Sequence, residues 1–277
     1  MSATWRGAEE PALPPLSMRE RARIVWRVML IVGIVLVTAP LFLMARLVER
    51  NVSRRRSITL RIASLAFAAI LRVLRIKRIA EGRPSGAALV ANHSSWLDVA
   101  VLFAGEPLVF VSKSEVASWP IIGPMTRLCG TIYIERRRLE AAQHAERLSE
   151  ELAAGTRIAF FPEGTSSDGR RVLPFRSSMF AAFTERSGSE NFVQPAGLRY
   201  HAPPGRSPTF HAWWGDMPFG PHAFRVLAAP SGGKVFVRYG MPVEAGPDRK
   251  ALAKSLEARV AELAGLSISR PSPIAAS

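Results

Sequence analysis

The sequence predicts an α/β fold, a mixed and mostly parallel sheet flanked by helices, with an N-terminal membrane-anchoring helical region. Three observations predict it. From Gly86 onward, short apolar runs alternate with amphipathic stretches, the texture of strands covered by helices. Ahead of that region, Val28 to Ala45 is an uncharged run of 18 residues, VMLIVGIVLVTAPLFLMA, at the short end of what crosses a hydrocarbon core as a helix. Finally, His93, Lys113, Arg136 and Glu163 each stand just beyond an apolar run, and ligands of open α/β sheets gather at the carboxyl ends of strands.

Taken in order, residues 1–18 carry Pro11, Pro14 and Pro15 and are expected to form a disordered lead. Residues 19–80 are assigned to membrane-anchoring helices, 81–265 to a catalytic domain and 266–277 to a tail. The uncharged run is no signal peptide, because it starts late and arginines follow it instead of a small-residue cleavage site. Pro40 suits a kinked helix that enters the bilayer and returns. If one helix covers Arg54 to Ile76, then Arg54, Arg61, Arg72 and Arg75 fall within roughly 60° of one another at 100° per residue. Such a stripe suits a helix in the headgroup layer, its arginines snorkelling to phosphates. A second span is disfavoured because Arg61 would sit in hydrocarbon. Arginines flank the first run on both sides, so charge counting alone does not orient it. The longer downstream cluster places the catalytic domain on the cytoplasmic face, at the inner membrane in a bacterium.

Strand candidates are residues 87–91, 108–112, 131–135, 157–161, 192–200 and 234–239. Helix candidates are 95–103, 138–154, 177–186 and 248–264, the last stopped by Gly265. The chain has 277 residues and a net charge of +15, from 37 basic and 22 acidic residues, which points to a polyanionic surface or substrate. The arginines crowd next to apolar segments and no nucleic-acid-binding motif appears, so anionic lipid is the expected partner and nucleic acid is not. Cys129 is the only cysteine, which excludes internal disulfides and CxxC metal sites. A lone cysteine among apolar neighbours reads as a small core residue.

The central stretch is Ala91-Asn92-His93-Ser94-Ser95-Trp96-Leu97-Asp98. A neutral imidazole is a competent base near neutral pH. A carboxylate on its other nitrogen fixes the tautomer and stabilises the imidazolium. On one continuous helix, residues five apart lie about 140° from each other. The pair therefore meets only if His93 sits in a turn and Asp98 in the helix that follows. By itself the pattern also fits a capped helix with two surface polar groups.

Two later stretches carry chemistry. Gly130 to Arg136 ends a strand with an acid and an arginine, a fork suited to a phosphate. Phe161-Pro162-Glu163-Gly164-Thr165 continues into Ser166-Ser167-Asp168-Gly169. It offers a carboxylate, a glycine that admits close backbone approach, and hydroxyls; a plain turn would look similar.

With these stretches in order, the chain resembles the glycerolipid acyltransferases typified by lysophosphatidic acid acyltransferase. The resemblance runs from about Ala88 to Pro195, with weaker similarity to Tyr239. Its motifs are Asn92 to Asp98 (NHxSxxD), Lys113 after the next strand, Gly130 to Arg136, Phe161 to Thr165 (FPEGT), and Val193-Gln194-Pro195. The resemblance implies transfer of a fatty acyl group from acyl-CoA or acyl carrier protein to a lysophospholipid hydroxyl, in phospholipid biosynthesis. It implies His93 as general base, Asp98 as its orienter, and Arg136 with Glu163, Gly164 and Thr165 at the acceptor head group. Lys113 becomes an accessory cation, and neither a metal nor another cofactor is implied. The leading acceptor is 1-acylglycerol-3-phosphate, giving phosphatidic acid. One departure bears on this: Ser166 stands where many phosphatidate-forming members carry arginine. That keeps a second acceptor open, the phosphate-free lyso-ornithine lipid.

The stretch Trp213 to Met217 is read as an aromatic loop at the lipid interface, with core packing as the alternative. Two readings from other classes are weaker. A hydrolase using Ser94 or Ser95 with His93 suffers because residues so close in sequence rarely adopt Ser-His geometry. A non-enzymatic protein gripping anionic membranes explains the charge but not the motifs.

Overall fold

Short apolar runs become the parallel half of the sheet. In the computed structural model, which describes residues 4–12, 14–52, 57–118, 123, 126–127, 129–134, 148, 150–184 and 191–269, these are Ala88–Ala91 (β2), Val109–Lys113 (β3), Ile132–Ile134 (β4) and Ile158–Phe160 (β5). β2 and β5 are wholly buried, as continuous apolar strands covered on both faces must be. Lys77–Glu81 (β1), Phe192–His201 (β7), Lys234–Tyr239 (β8) and Val243–Glu244 (β9) complete a sheet of order β1-β8-β7-β2-β5-β3-β4, with β9 alongside β7. Among the described residues only the β7–β8 and β7–β9 pairings are antiparallel, so the fold is the expected mixed, mostly parallel sheet. Arg171–Val172 (β6) and Ser267–Ile268 (β10) form a separate two-stranded ribbon.

β1 escapes sequence reading because its residues, KRIAE, are largely charged. It is an edge strand, where charge on an exposed face blunts further pairing.

The first two helices are α1 (Met18–Val52) and α2 (Ser57–Val73). α1 is 35 residues long with Pro40 inside it and is long and apolar enough to cross a membrane, only 6% of its apolar window being buried. Its exposed side chains include Leu36, Val37 and Met44. Glu49, at its far end, accepts from the backbone amides of Ile58 (2.6 Å) and Thr59 (3.4 Å) and from the Thr59 hydroxyl. A buried carboxylate thus caps the opening amides of α2 and turns the two helices into a hairpin. Arg61 and Arg72 are exposed on α2 while Leu60, Ala63 and Leu71 face inward. Arg75 lies past the end of the helix at φ +56, and Arg54 lies outside the described residues.

The remaining helices cover the sheet. Leu97–Phe103 (α3) follows β2, Phe219–Ala228 (α4) precedes β8, and Arg249–Ala264 (α5) closes the domain. α5 starts on Asp248, whose carboxylate accepts from Lys250 and Ala251 amides, and stops at Gly265 at φ +62. α4 was not expected, because Gly220-Pro221 looks like a breaker; Pro221 sits in the first turn, where the amide it lacks would have no partner. Arg27 of α1 donates to the carbonyls of Leu227 (2.9 Å) and Ala229 (2.7 Å), and Arg23 to that of Ala228. Arginines counted as flanking charges therefore cap the C-terminus of α4. The start of α1 and the end of α2 both return to the catalytic domain.

The proline-rich lead is not free chain. Trp5 and Ala8 pack on Ala212, Trp214 and Met217, Arg6 forks onto Asp216 at 2.8 and 3.0 Å, and Glu10 accepts from the Asp216 amide at 2.6 Å. This corrects two expectations together. Trp214 is buried, so the aromatic loop packs against residues 5–10, and residues 4–12 are ordered by that loop. Cys129 is buried and free, and burial pushes its thiol up to about 11, so it behaves as the small apolar residue expected.

Candidate active site

β2 carries four residues and β7 ten. With Ala91 paired to Ala196, the second half of β7 runs on past the end of β2. Asn92 handles the mismatch: its side-chain amide donates to the Leu198 carbonyl (3.0 Å) and accepts from the Leu198 amide (2.8 Å). The ladder is continued by a side chain while the backbone turns away. His93 occupies that turn, and α3 begins four residues later.

The turn brings His93 and Asp98 together. His93 Nδ1 lies 2.9 Å from Asp98 Oδ2, with the carboxylate fully buried and the imidazole 20% exposed. An ionised carboxylate only accepts, so Nδ1 is the donor and Nε2 keeps its lone pair. The same Oδ2 accepts from the amides of Ser94 (2.7 Å) and Ser95 (2.8 Å). Asp98 therefore orients the base and folds the turn that bears it. The surface-polar reading of this pair does not survive. The imidazole plane is fixed by stacking on Phe161, centroids 4.2 Å apart at 13°.

Glu163 is a bracket between two chain segments. Its Oε1 accepts from the His93 amide (2.8 Å) and its Oε2 from the Leu173 amide (3.1 Å), at 2% exposure. Burial pushes this carboxyl well above the usual range, and the two amides pull it back. Gly164 sits at φ +67, and a side chain there would meet the Arg176 guanidinium at 2.8 Å, so only glycine lets that cation lie against the loop. The Thr165 hydroxyl accepts from the Trp5 amide at 3.4 Å. Ser166, Ser167 and Asp168 are buried; Ser167 donates its amide to the His93 carbonyl (2.9 Å), and Asp168 pairs with Arg171 at 3.0 Å.

Lys113 ends β3 beside Ile134 of β4, on the same sheet edge as His93 and Glu163. Arg136 lies outside the described residues. Among the described residues no three His, Cys, Asp or Glu side chains are grouped as a metal site requires.

Sequence reading missed Arg176 and His222, and it gave Asn92 a place in the turn without its bonds to β7. Trp96 donates its indole N–H to His222 Nδ1 at 3.0 Å, tying the motif to α4. Burial holds His222 down at about 4, so it stays neutral and accepting. A row of rings also leads away from the base. Phe161 to Phe110 is 6.0 Å, Phe110 to Phe103 is 5.4 Å and Phe103 to Phe67 is 5.0 Å. Phe67 lines an apolar cavity of about 140 Å³ between α1 and α2, with Val35, Phe42, Ile70 and Cys129.

A family model described as Acyltransferase matches residues 75–197. The lyso-ornithine lipid O-acyltransferase of Rhodobacter capsulatus is 37% identical over 262 residues, 92% of this chain and 95% of that one. The 1-acyl-sn-glycerol-3-phosphate acyltransferase of Neisseria gonorrhoeae is 34% identical over 157 residues, covering 56% of this chain and 59% of that one. The fold is shared with the crystal structure of the LPA acyltransferase PlsC from Thermotoga maritima, at a TM-score of 0.60 and 19% identity over 89% of this chain and 96% of that one.

Proposed function

The chain belongs to the acyltransferase family and acts on lysolipids, and from that premise we propose that it moves a fatty acyl chain from a thioester to a lysolipid hydroxyl with His93 as general base. One observation carries the proposal: the partly exposed imidazole whose inner nitrogen is held at 2.9 Å by a fully buried carboxylate. Nε2 takes the proton of the lipid alcohol as its oxygen attacks the thioester carbonyl. The tetrahedral adduct expels the thiolate, which receives the proton from the imidazolium. Asp98 remains ionised and stabilises the imidazolium throughout. No acyl-enzyme forms, because the attacking oxygen belongs to the acceptor.

Glu163 acts in this reading by holding the His93 backbone, since both of its oxygens are taken. Arg136, Lys113 and Arg176 are assigned to anionic groups of acceptor and donor, and the Phe161–Phe67 row to the acyl chain. The donor is an acyl-CoA or acyl carrier protein thioester. The α1–α2 hairpin sits in a bilayer with anionic lipids, and the catalytic domain faces the cytoplasm, where these donors are.

We favour lyso-ornithine lipid as acceptor. The relative so named aligns over 92% of this chain, and the residue after FPEGT, Ser166, is buried and uncharged, so it lacks the charge an arginine would bring to a phosphate. The second reading, 1-acylglycerol-3-phosphate, draws on the Neisseria relative. An acceptor panel with a radiolabelled acyl thioester decides between them. Lyso-ornithine lipid is expected to turn over at least tenfold faster than lysophosphatidic acid, in wild type only. Full activity in His93→Ala would sink the base assignment, and a reversed preference would sink the choice of acceptor.

A further inference from the structure

The hydrogen bonds of Asp98 are lopsided. Oδ2 accepts three, from His93 Nδ1, Ser94 N and Ser95 N. Oδ1 is buried and accepts none of normal geometry. A carboxylate oxygen left bare in a fully buried site is costly, so the side chains whose charge or dipole acts on Asp98 need sorting by what they can donate.

Glu163 after β5, Tyr200 on β7 and His211 before α4 each feel the charge of Asp98, from three different segments. Glu163 already spends its two oxygens on the His93 and Leu173 amides. His211 holds the Gly232 carbonyl at 2.7 Å through Nε2, which makes Nε2 the protonated nitrogen and Nδ1 a lone pair. Tyr200 carries an O–H, and like Asp98 Oδ1 its oxygen is buried with no hydrogen-bond partner. We propose that Tyr200 is a positioning residue of the reaction, its hydroxyl donating to Asp98 Oδ1 and so setting how strongly Asp98 holds the His93 imidazolium. The inference rests on His93 being the base.

The surroundings keep this donor in place. Tyr200 stands four residues past the Ala91–Ala196 pair, on the stretch of β7 that overhangs β2. Its ring stacks on His211 at 4.9 Å and 28°, and the Gly232 bond anchors that imidazole. Burial, and then the charge of Asp98, push the phenol well above its ordinary value, so it remains an O–H donor across the working range. Burial holds His211 down at about 4, so the ring beneath Tyr200 stays uncharged.

Removing the hydroxyl leaves Asp98 more basic and its grip on the imidazolium tighter. The base is then protonated at higher pH. The test is the pH profile of kcat/KM for wild type and Tyr200→Phe, each with the lysolipid acceptor in detergent micelles. The acid limb is expected to move up by about 0.5–1 pH unit, with activity at pH 7 down severalfold and acceptor KM unchanged. In an Asp98→Asn background the same change is expected to alter activity less than twofold. If Tyr200→Phe does not fold, site-specific 3-fluorotyrosine at position 200, a stronger donor of the same shape, is expected to move the limb down. An unmoved limb in either variant, or a change in KM alone, overturns the proposal. Activity retained in His93→Ala would instead overturn the reading beneath it, so the two failures are distinguishable.

Discussion

The turn around His93 and the helix α1 treat burial in opposite ways. Asn92, Ser94, Ser95 and Asp98 are polar and at most 2% exposed, because each finds a partner in the turn itself, in β7 or in the loop after β5. Leu36, Val37 and Met44 on α1 are apolar and 66–69% exposed, with no protein to cover them. The first region supplies its own polar medium; the second needs an apolar one from outside. Damage should therefore show as lost chemistry in the turn and as lost membrane attachment in the helix.

The largest effect belongs to the turn. His93→Ala removes the proposed general base and is expected to lower kcat by about 10²–10⁴-fold at an unchanged melting temperature, since the ring is partly exposed and its amide still reaches Glu163. Asp98→Ala is expected to lose as much activity and to melt lower as well, because two buried amides lose their acceptor. Radiolabelled acyl transfer and thermal melts in detergent separate the two. Equal melts for both variants would break the claim that Asp98 builds the turn.

Next comes the helix. Leu36→Glu with Val37→Glu places two carboxylates in the apolar run, each costing about 3 kcal/mol at the centre of a bilayer. Vesicle flotation is expected to show the double variant shifting to the soluble fraction, while activity on acceptor in detergent micelles stays within twofold. Lost micellar activity would mean that α1 supports the catalytic domain directly.

The contrast also explains what the sequence made legible. The motif turn, the strand ends of β2, β3 and β5, and the stop of α5 at Gly265 depend on residues within a few positions of one another, so they are legible in the sequence, the turn once the other motifs stand beside it. His222 and Asn92 take their roles from partners 126 and 106 residues away, and spacing carries no trace of that. Glu163 was found but its task was not, because a buried bracket and a headgroup contact are both written as a carboxylate before a glycine. β1 was missed since an edge strand tolerates charge, and the lead since its order depends on Trp214. Arg23 and Arg27 looked like membrane flanks until the α4 carbonyls were placed beside them.

Acid should sharpen the same division. His211 and His222 are buried and held at about 4, so the unfolded chain binds more protons than the folded one between that value and 6.5. Their contribution is complete above pH 6.5 and is lost as pH falls toward 4, by up to about 3 kcal/mol for each. Melting temperature is expected to drop over that window, and the drop to shrink in His211→Gln with His222→Gln. An unchanged slope in the double variant would clear both histidines.

The smallest effect lies where the two regions are joined by residues 4–12. Trp5 touches three things together: its amide reaches Thr165, its ring lies 5.4 Å from the Arg171 guanidinium, and it packs on the cluster around Trp214. Arg171 holds Asp168 in the loop that is itself bonded to the His93 carbonyl. Trp5→Ala therefore loosens the loop proposed to meet the acceptor without touching His93. Acceptor KM is expected to rise two- to fivefold, with kcat within twofold and the melt shifted by a degree or two, in keeping with the modest worth of a partly exposed cation–π contact. Arg6→Ala, which breaks a fully exposed ion pair with Asp216, is expected to change neither, since such pairs are screened by water. If Arg6→Ala matched Trp5→Ala, the lead would be held by charge and not by the tryptophan, and its place in the comparison would move from the buried region to the exposed one.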